Sequence, residues 1–255
     1  MEGTPNIRTS WSSAADELKA VVAEERSVRL IEEDIYSVLP DTSVQHHYDT
    51  RAPLYDAFVG TRLYNFVMWG TSPRDYVEFA RQALDSSSNG IFLDAGCGSM
   101  LFTARTYAFS NRQIVAFDQS LAMLRRARAR LRKLVGRVPE NIRLLQADLS
   151  DLPFRRKRFR TVMCLNVLHQ FADAAALVSG FSELLCEEGN LYLTSLISND
   201  RTIGDWYIKV LYRTGEFVRP RNERELRELF GGAFVEPINY VGKGNMAFIT
   251  GLASG

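Results

Sequence analysis

The sequence predicts an α/β fold: a doubly wound, mostly parallel seven-stranded sheet, with a helical cap on its N-terminal side. Three observations predict it. From Gly90 onward, apolar runs of strand character alternate with stretches at helical spacing, and parallel neighbours need such crossovers. The first run, Ile91 to Asp94, leads into a turn containing Gly96 and Gly98. Twenty positions after Gly98, the run Ile114 to Phe117 ends in Asp118. Strand, glycine turn, helix and acid-tipped strand make one half of a nucleotide-binding sheet.

Taken in order, the elements are these. Leu18, Val21, Val22, Ile31, Ile35 and Leu39 recur roughly at helical spacing before Pro40, so residues 12–39 read as a long helix inside an extension over 1–45. A cap follows over 46–89, with helical patches at Tyr48–Val59 and Leu63–Trp69. A further helix starts near Pro73 and carries Tyr76, Val77, Ala80 and Leu84 on one stripe until SSSNG stops it. The core spans 90–255. Its strands are expected at 91–94, 113–117, 141–146, 160–165 and 190–197, with helices at 100–109, 120–134 and 173–186. After Ser198 the alternation breaks, and helical patches near 204–212 and 222–230 lead to strands at 233–241 and 245–252. The turn GKGN joins those two strands, which suggests an antiparallel edge. Residues 198–221 form an insertion suited to a lid.

Composition narrows the class. The chain has 255 residues, 46% of them apolar, and a net charge of +1. That balance offers no general attraction for nucleic acid or anionic membrane. No run approaches the roughly 18 apolar residues of a membrane helix, and no secretory signal is visible. Cys97, Cys164 and Cys186 lie far apart without a C-x-x-C pair, which argues against structural zinc and fits a reducing cytoplasm.

Gly96 and Gly98 can take positive φ and let a ligand approach the backbone. Asp118 stands where a carboxylate accepts hydrogen bonds from both ribose hydroxyls of an adenosine ligand. The loop lacks the G-x-G-x-x-G ending of a dinucleotide loop, so a pyrophosphate ligand is not favoured.

Five segments then follow one another at a fixed register: LDAGCGSM, AFDQSLAMLRRARARL, LLQADLSDLPF, FRTVMCLNVLHQFAD and LLCEEGNLYLTSL. Together they resemble the successive motifs of class I S-adenosylmethionine-dependent methyltransferases. They are closest in style to the small-molecule branch that includes the quinone-biosynthesis C-methyltransferases. YDTRAPLYDAFVG, ahead of the core, is similar to that branch's N-terminal cap, and the resemblance covers about residues 46 to 197. It implies S-adenosylmethionine as cofactor. Asp94, Gly96 and Gly98 would surround its methionine moiety, Asp118 would hold the ribose and Gln119 would lie beside the adenosine. Asp148 and Leu149 would contact the adenine, Asn166 would sit near the sulfonium, and Tyr48 and Tyr55 would close the cap. Asp148 could instead cap a turn with Ser150, and Leu149 could belong to the core. Met100 replaces a third glycine often found in the family; its side chain either narrows the pocket or points into the following helix.

Methyl transfer from a sulfonium is an in-line displacement, so the main task is to hold the acceptor close and aligned. A hydroxyl or acidic carbon benefits from a base, and His suits neutral pH. Of His46, His47 and His169, only His169 follows the fourth core strand, at the carboxyl edge where such sheets bind ligands; it is the candidate catalytic residue. Asn166-Val-Leu-His lacks the proline pair of nucleic-acid amino methylases. The arginines over 125–132 and 155–160 read as solvated faces, with contact to nucleic acid the less favoured use. Tyr55, Phe58, Tyr64, Phe66, Trp69 and Tyr76 in the cap, with Trp206, Tyr207, Tyr212 and Phe217 in the insertion, suit an apolar, ring-containing small-molecule acceptor, methylated on carbon or oxygen. They could equally pack on each other. The long N-terminal helix could pair with a second copy as a homodimer. Two other readings remain: a binding or regulatory protein on the same scaffold, and an RNA or protein methyltransferase using the arginine clusters.

Overall fold

The computed structural model describes residues 14–40, 65–87, 90–198, 203–213, 218, 221–231 and 234–254. The helical patch expected at 48–59 lies outside them.

The N-terminal segment departs most from expectation. In place of one long helix the described chain forms α1 (Ala14–Val21) and then a hairpin, β1 (Arg29–Glu32) and β2 (Ile35–Ser37). The turn passes through Asp34 at φ 65°. Glu24, Glu25 and Arg26 break the apolar stripe, and beyond them burial is decided by pairing: Ile35 and Ser37 are buried where β2 runs parallel to a core strand. Tertiary pairing outweighs the helical spacing here. α1 buries Leu18 and Val21 in its own domain, beside a bridge from Val22 to Phe154. The long helix on which a homodimer was premised is therefore absent among the described residues.

Ahead of the core, Asn65–Trp69 forms a single π-helical turn and α2 spans Pro73–Ser86. α2 starts with Pro73 in its first turn, and the Ser72 amide donates to Asp75 at 2.7 Å, satisfying a group the helix leaves open. The core strands follow as β3 (Ile91–Ala95), β4 (Ile114–Asp118), β5 (Ile142–Gln146), β6 (Phe159–Leu165) and β7 (Leu185–Leu196). Between them run α3 (Ala104–Ala108), α4 (Leu121–Val135) and α5 (Ala174–Leu184). α4 is capped by Ser120, which accepts from the Met123 amide at 3.2 Å, and ends at Gly136 in the left-handed conformation, where a side chain would be strained. α3 is shorter than expected because Met100 sits at φ 53°, which a helical residue cannot adopt. The insertion carries α6 (Ile203–Arg213); α7 (Glu223–Glu228) precedes β8 (Phe234–Lys243) and β9 (Met246–Ala253).

The sheet order is β1-β2-β5-β4-β3-β6-β7-β9-β8. β3 to β7 pair in parallel, and β9 runs antiparallel to both β7 and β8. The doubly wound architecture is thus the expected one, with the expected antiparallel edge. It has nine strands among the described residues rather than seven, the added two being the N-terminal hairpin. Alternation along the strands splits the core in two. Leu93, Phe117, Leu145 and Val162 join α1, α5 and α7 on one side, while Phe92, Ala116, Leu144 and Met163 join α2, α3 and α4 on the other.

The arginines of α4 have a structural use. Arg125 and Arg128 both reach Glu32, with contacts of 2.8 and 3.0 Å, and Arg132 reaches Glu33 at 2.8 Å and Asp34 at 2.6 Å. The acidic turn of the hairpin thus docks on the basic helix. Arg155 and Arg156 similarly pair with Glu24 and Glu183.

Candidate active site

Strand order reverses beside β3, since β4 leads away on one side and β6 on the other. Ligands of open α/β sheets bind at this switch point, outside the carboxyl ends of the strands. A pocket lies there, and eight of the residues singled out in the sequence line it: Asp94, Gly96, Gly98, Asp118, Gln119, Asp148, Leu149 and Asn166.

The glycine loop shapes its floor. Gly96 takes φ 72°, and a Cβ there would lie 2.9 Å from Val167 and 3.1 Å from Leu149; both conformation and space demand glycine. Gly98 takes φ 53°, but a Cβ there would meet nothing within 4 Å. Its amide donates to Asp118 Oδ2 at 2.9 Å, and the Ser120 amide donates to Asp118 Oδ1 at 2.9 Å. Each oxygen keeps further lone pairs for a ligand, and the two amides fix the carboxylate before one arrives.

At the next strand end, Gln119 Nε2 donates to Asp148 Oδ2 at 3.0 Å and the Ser150 amide donates to Oδ1 at 2.8 Å. Asp148 therefore caps the turn and lines the pocket at once. Leu149 likewise packs against the core and faces the pocket. Asn166 sits at φ 57°, its amide donating to Thr194 Oγ1 and its Oδ1 accepting from that hydroxyl, each at 2.9 Å. That reciprocal pair holds a left-handed asparagine at the mouth of β6.

Asp94 is the buried acid of the site, 2% exposed. Tyr107 Oη, from α3, donates to its Oδ2 at 2.9 Å. Burial, and secondarily the charge of Asp118, push its pKa up to about 7 against the pull of the Tyr107 hydrogen bond.

Met100 does not narrow this pocket. It is 1% exposed and packs with Phe92, Ala104 and Tyr107 in the core, so of the two directions open to it the side chain takes the one away from the ligand.

His169 is a correction. It lies in a short 3-10 turn, Leu168–Gln170, is 6% exposed, and does not line the pocket. Burial and the neighbouring Arg221 guanidinium lower its pKa to about 3, far below what a base at neutral pH requires. The loop it belongs to is nonetheless important. Arg221, itself buried, donates to the carbonyls of Leu168, Phe171 and Ala172 at 3.3, 2.8 and 3.0 Å. That clamp presents Val167, Gln170 and Phe171 to the pocket. Tyr48 and Tyr55 lie outside the described residues.

Several lining residues were not anticipated, among them Phe102, Thr103, Met123 and Phe171. Each lies within a few residues of a motif position, so proximity in sequence to a strand's carboxyl end was the available signal. Of the cap and insertion aromatics, Trp69 tilts against Tyr207 with centroids 5.7 Å apart, and Tyr76 stacks on Phe102 at 4.8 Å. These rings largely cover one another, and Phe102 carries that cluster to the pocket. Trp206 and Tyr212 are exposed. No group of acids, histidines and cysteines among the described residues is placed to hold a metal ion, and no described helix is long and apolar enough to cross a membrane.

Residues 92–189 match the family described as the methyltransferase domain. Among solved structures, phosphoethanolamine N-methyltransferase 2 of Haemonchus contortus, in complex with S-adenosyl-L-methionine, superposes with a TM-score of 0.65 at 12% identity, over 86% of this chain and 62% of that one. The [4+2]-cyclase SpnF gives 0.64 at 14%, over 81% and 94%. The YcgJ protein of Bacillus subtilis gives 0.57 at 15%, over 71% and 99%. No curated protein matches the sequence. At these identities the structural likeness is one of fold: the chain has the Rossmann-like methyltransferase fold, and its residues 92–189 are similar to the methyltransferase-domain family.

Proposed function

We propose that the pocket binds S-adenosylmethionine and transfers its methyl group to a small, largely apolar, ring-containing acceptor, on carbon or oxygen. The observation that carries the cofactor is the pair of fixed carboxylates, Asp118 and Asp148, at successive strand ends beside the glycine loop. Asp118 accepts the ribose hydroxyls and Asp148 the adenine amino group, with Leu149 against the ring. Asp94, Gly96 and Gly98 surround the methionine end. Among the described lining residues, Asp94, Asp118 and Asp148 are acidic and none is Lys or Arg; such a lining favours a sulfonium cation.

Phe102, Leu165, Val167 and Phe171 supply apolar wall beside Asn166, which favours an apolar acceptor. No His or Lys lines the pocket among the described residues. Catalysis therefore rests on alignment for in-line displacement and on exclusion of water.

Two observations weigh against the other readings. A non-catalytic scaffold was motivated by Met100, which packs in the core. A nucleic-acid substrate was motivated by arginine clusters that engage acids of this chain. The deciding experiment is calorimetric titration with S-adenosylmethionine and S-adenosylhomocysteine, repeated on Asp118→Ala. Both ligands should bind, and the variant should lose about ten- to a hundredfold in affinity, as expected for hydrogen bonds to a charged group. Unchanged affinity in the variant would remove Asp118 from the site. Mass spectrometry of apolar phenols, quinones and polyketides incubated with the protein and S-adenosylmethionine then tests the acceptor class.

A further inference from the structure

Two parts of the pocket lining are held in different ways. Asp118 and Asp148 are fixed by amides and a side chain of the strand-end loops around them. The turn after β6, which gives Val167, Gln170 and Phe171 to the pocket, is gripped from far along the chain. Its own amides close two bonds, from Gln170 to the Val167 carbonyl and from Phe171 to that of Leu168. The distal end of the insertion adds more. The Val218 amide donates to the His169 carbonyl at 3.3 Å, and Arg221 donates to those of Leu168, Phe171 and Ala172 at 3.3, 2.8 and 3.0 Å. Arg221 is 4% exposed and is seated in turn: the Ser198 amide donates to its carbonyl at 3.0 Å, beside a parallel bridge to Ile197. A planar guanidinium holds its donors in a fixed fork and so serves several carbonyls at once, which a flexible ammonium does not.

The proximal part of the insertion is anchored elsewhere. Asn245 Nδ2 donates to Asp205, in the first turn of α6, at 2.8 Å and to the Ile197 carbonyl at 3.0 Å. Tyr207 tilts against Trp69 of the π-helical turn, and Trp206 and Tyr212 are exposed. No described residue of 198–221 lines the pocket. Among the described residues, the insertion's route to an acceptor therefore runs through the turn it grips.

Building on the methyl-transfer reading above, we propose that Arg221 is a positioning residue that sets acceptor specificity from outside the pocket. Through the three carbonyls it fixes where Val167, Gln170 and Phe171 stand, and so which apolar rings fit beside Asn166 and align with the methyl group. The cofactor end does not depend on it, because Asp118 and Asp148 have their own supports. The insertion thus selects acceptors through the backbone of a neighbouring turn and not through the aromatic side chains it carries.

The test reads the two ends of the pocket separately in Arg221→Lys, which keeps the charge and loses the fork. S-adenosylhomocysteine, followed by calorimetry, reports the cofactor end. The neutral fluorophore N-phenyl-1-naphthylamine, added to protein saturated with S-adenosylhomocysteine, reports the apolar acceptor end. S-adenosylhomocysteine should bind within about twofold of wild type, as for a site with independent supports. The fluorophore should bind roughly tenfold more weakly, the loss that accompanies about one methylene of apolar contact. Steady-state rates with any phenol, quinone or polyketide that is methylated should show the same split: the acceptor KM rises and the KM for S-adenosylmethionine holds. If Arg221→Lys does not fold, Val218→Pro carries the test. It deletes the amide that reaches His169, leaves Arg221 in place, and should weaken the fluorophore in the same direction by less. Unchanged fluorophore binding, or equal weakening of both ligands, would make the grip merely structural and overturn the proposal. So would a wild-type protein that holds S-adenosylhomocysteine but binds the fluorophore no better than Phe171→Ala does, because the turn then seats no apolar ring. If S-adenosylhomocysteine does not bind wild-type protein at all, it is the cofactor reading that fails.

Discussion

Residues with left-handed backbone carry much of the site. Gly96, Gly98, Met100 and Asn166 all have positive φ within or beside the two loops that border the pocket. For a residue other than glycine that conformation carries a cost of about 1–2 kcal/mol, and each must be held by its surroundings. Asn166 is held by Thr194. Met100 is held by burial, its side chain lying in the same core cluster as Phe92 and Tyr107. Met100→Ala should therefore destabilise the protein by about 2–4 kcal/mol, the range for truncating a buried methionine. Urea denaturation measures that loss, and calorimetry on the folded variant should find cofactor affinity within about twofold of wild type. A large gain in affinity without loss of stability would mean that the side chain obstructs the ligand after all.

Among the elements, the N-terminal hairpin is the one whose placement has an electrostatic explanation. Glu32 receives Arg125 and Arg128, and hydrogen bonding from Arg125 leads the causes that lower its pKa. A carboxylate whose folded pKa is depressed contributes stability above its unfolded pKa, and that contribution fades as pH falls through the folded value. The pairs are partly exposed, so their worth is small, about 1 kcal/mol together. Glu32→Lys does more than remove them, since it places a like charge between two arginines. Its melting temperature should fall at low salt and recover part of the difference at high salt, where exposed charges are screened. An unchanged melting temperature at low salt would show that apolar contacts of β1 and β2 alone seat the hairpin.

At the scale of the molecule, the site draws on stability built elsewhere. Asp94 is buried in the centre of the sheet with its pKa raised to about 7. For a carboxyl group this direction means that the folded state holds its proton more tightly than the unfolded chain does. Stability contributed at low pH is then lost as pH climbs from about 4, the unfolded value, to about 7, by an amount on the order of 4 kcal/mol. Urea melts across that window should show stability falling with pH more steeply in wild type than in Asp94→Asn. Parallel slopes in the two proteins would mean that Asp94 keeps an ordinary carboxylate's behaviour despite its burial.

The core strands and the lining of the pocket were legible in the sequence because local patterns specify them. Each parallel strand is a short apolar run, each helix has a cap or an apolar stripe, and the carboxyl ends of consecutive strands must meet at one edge of the sheet. Gly96, Asp118 and Asp148 could therefore be placed together before any fold was known. Three features were decided only by tertiary structure. Residues 29–37 have the spacing of a helix yet pair as strands, because the open edge of β5 and the arginines of α4 outweigh local preference. Met100 could face pocket or core until the packing around Tyr107 settled its direction. His169 stands at a strand end like a catalytic base, but Arg221 and the loop carbonyls it clamps draw the turn inward and bury the ring. Spacing along the chain places a residue at the right end of the sheet; which way its side chain turns depends on neighbours distant in sequence.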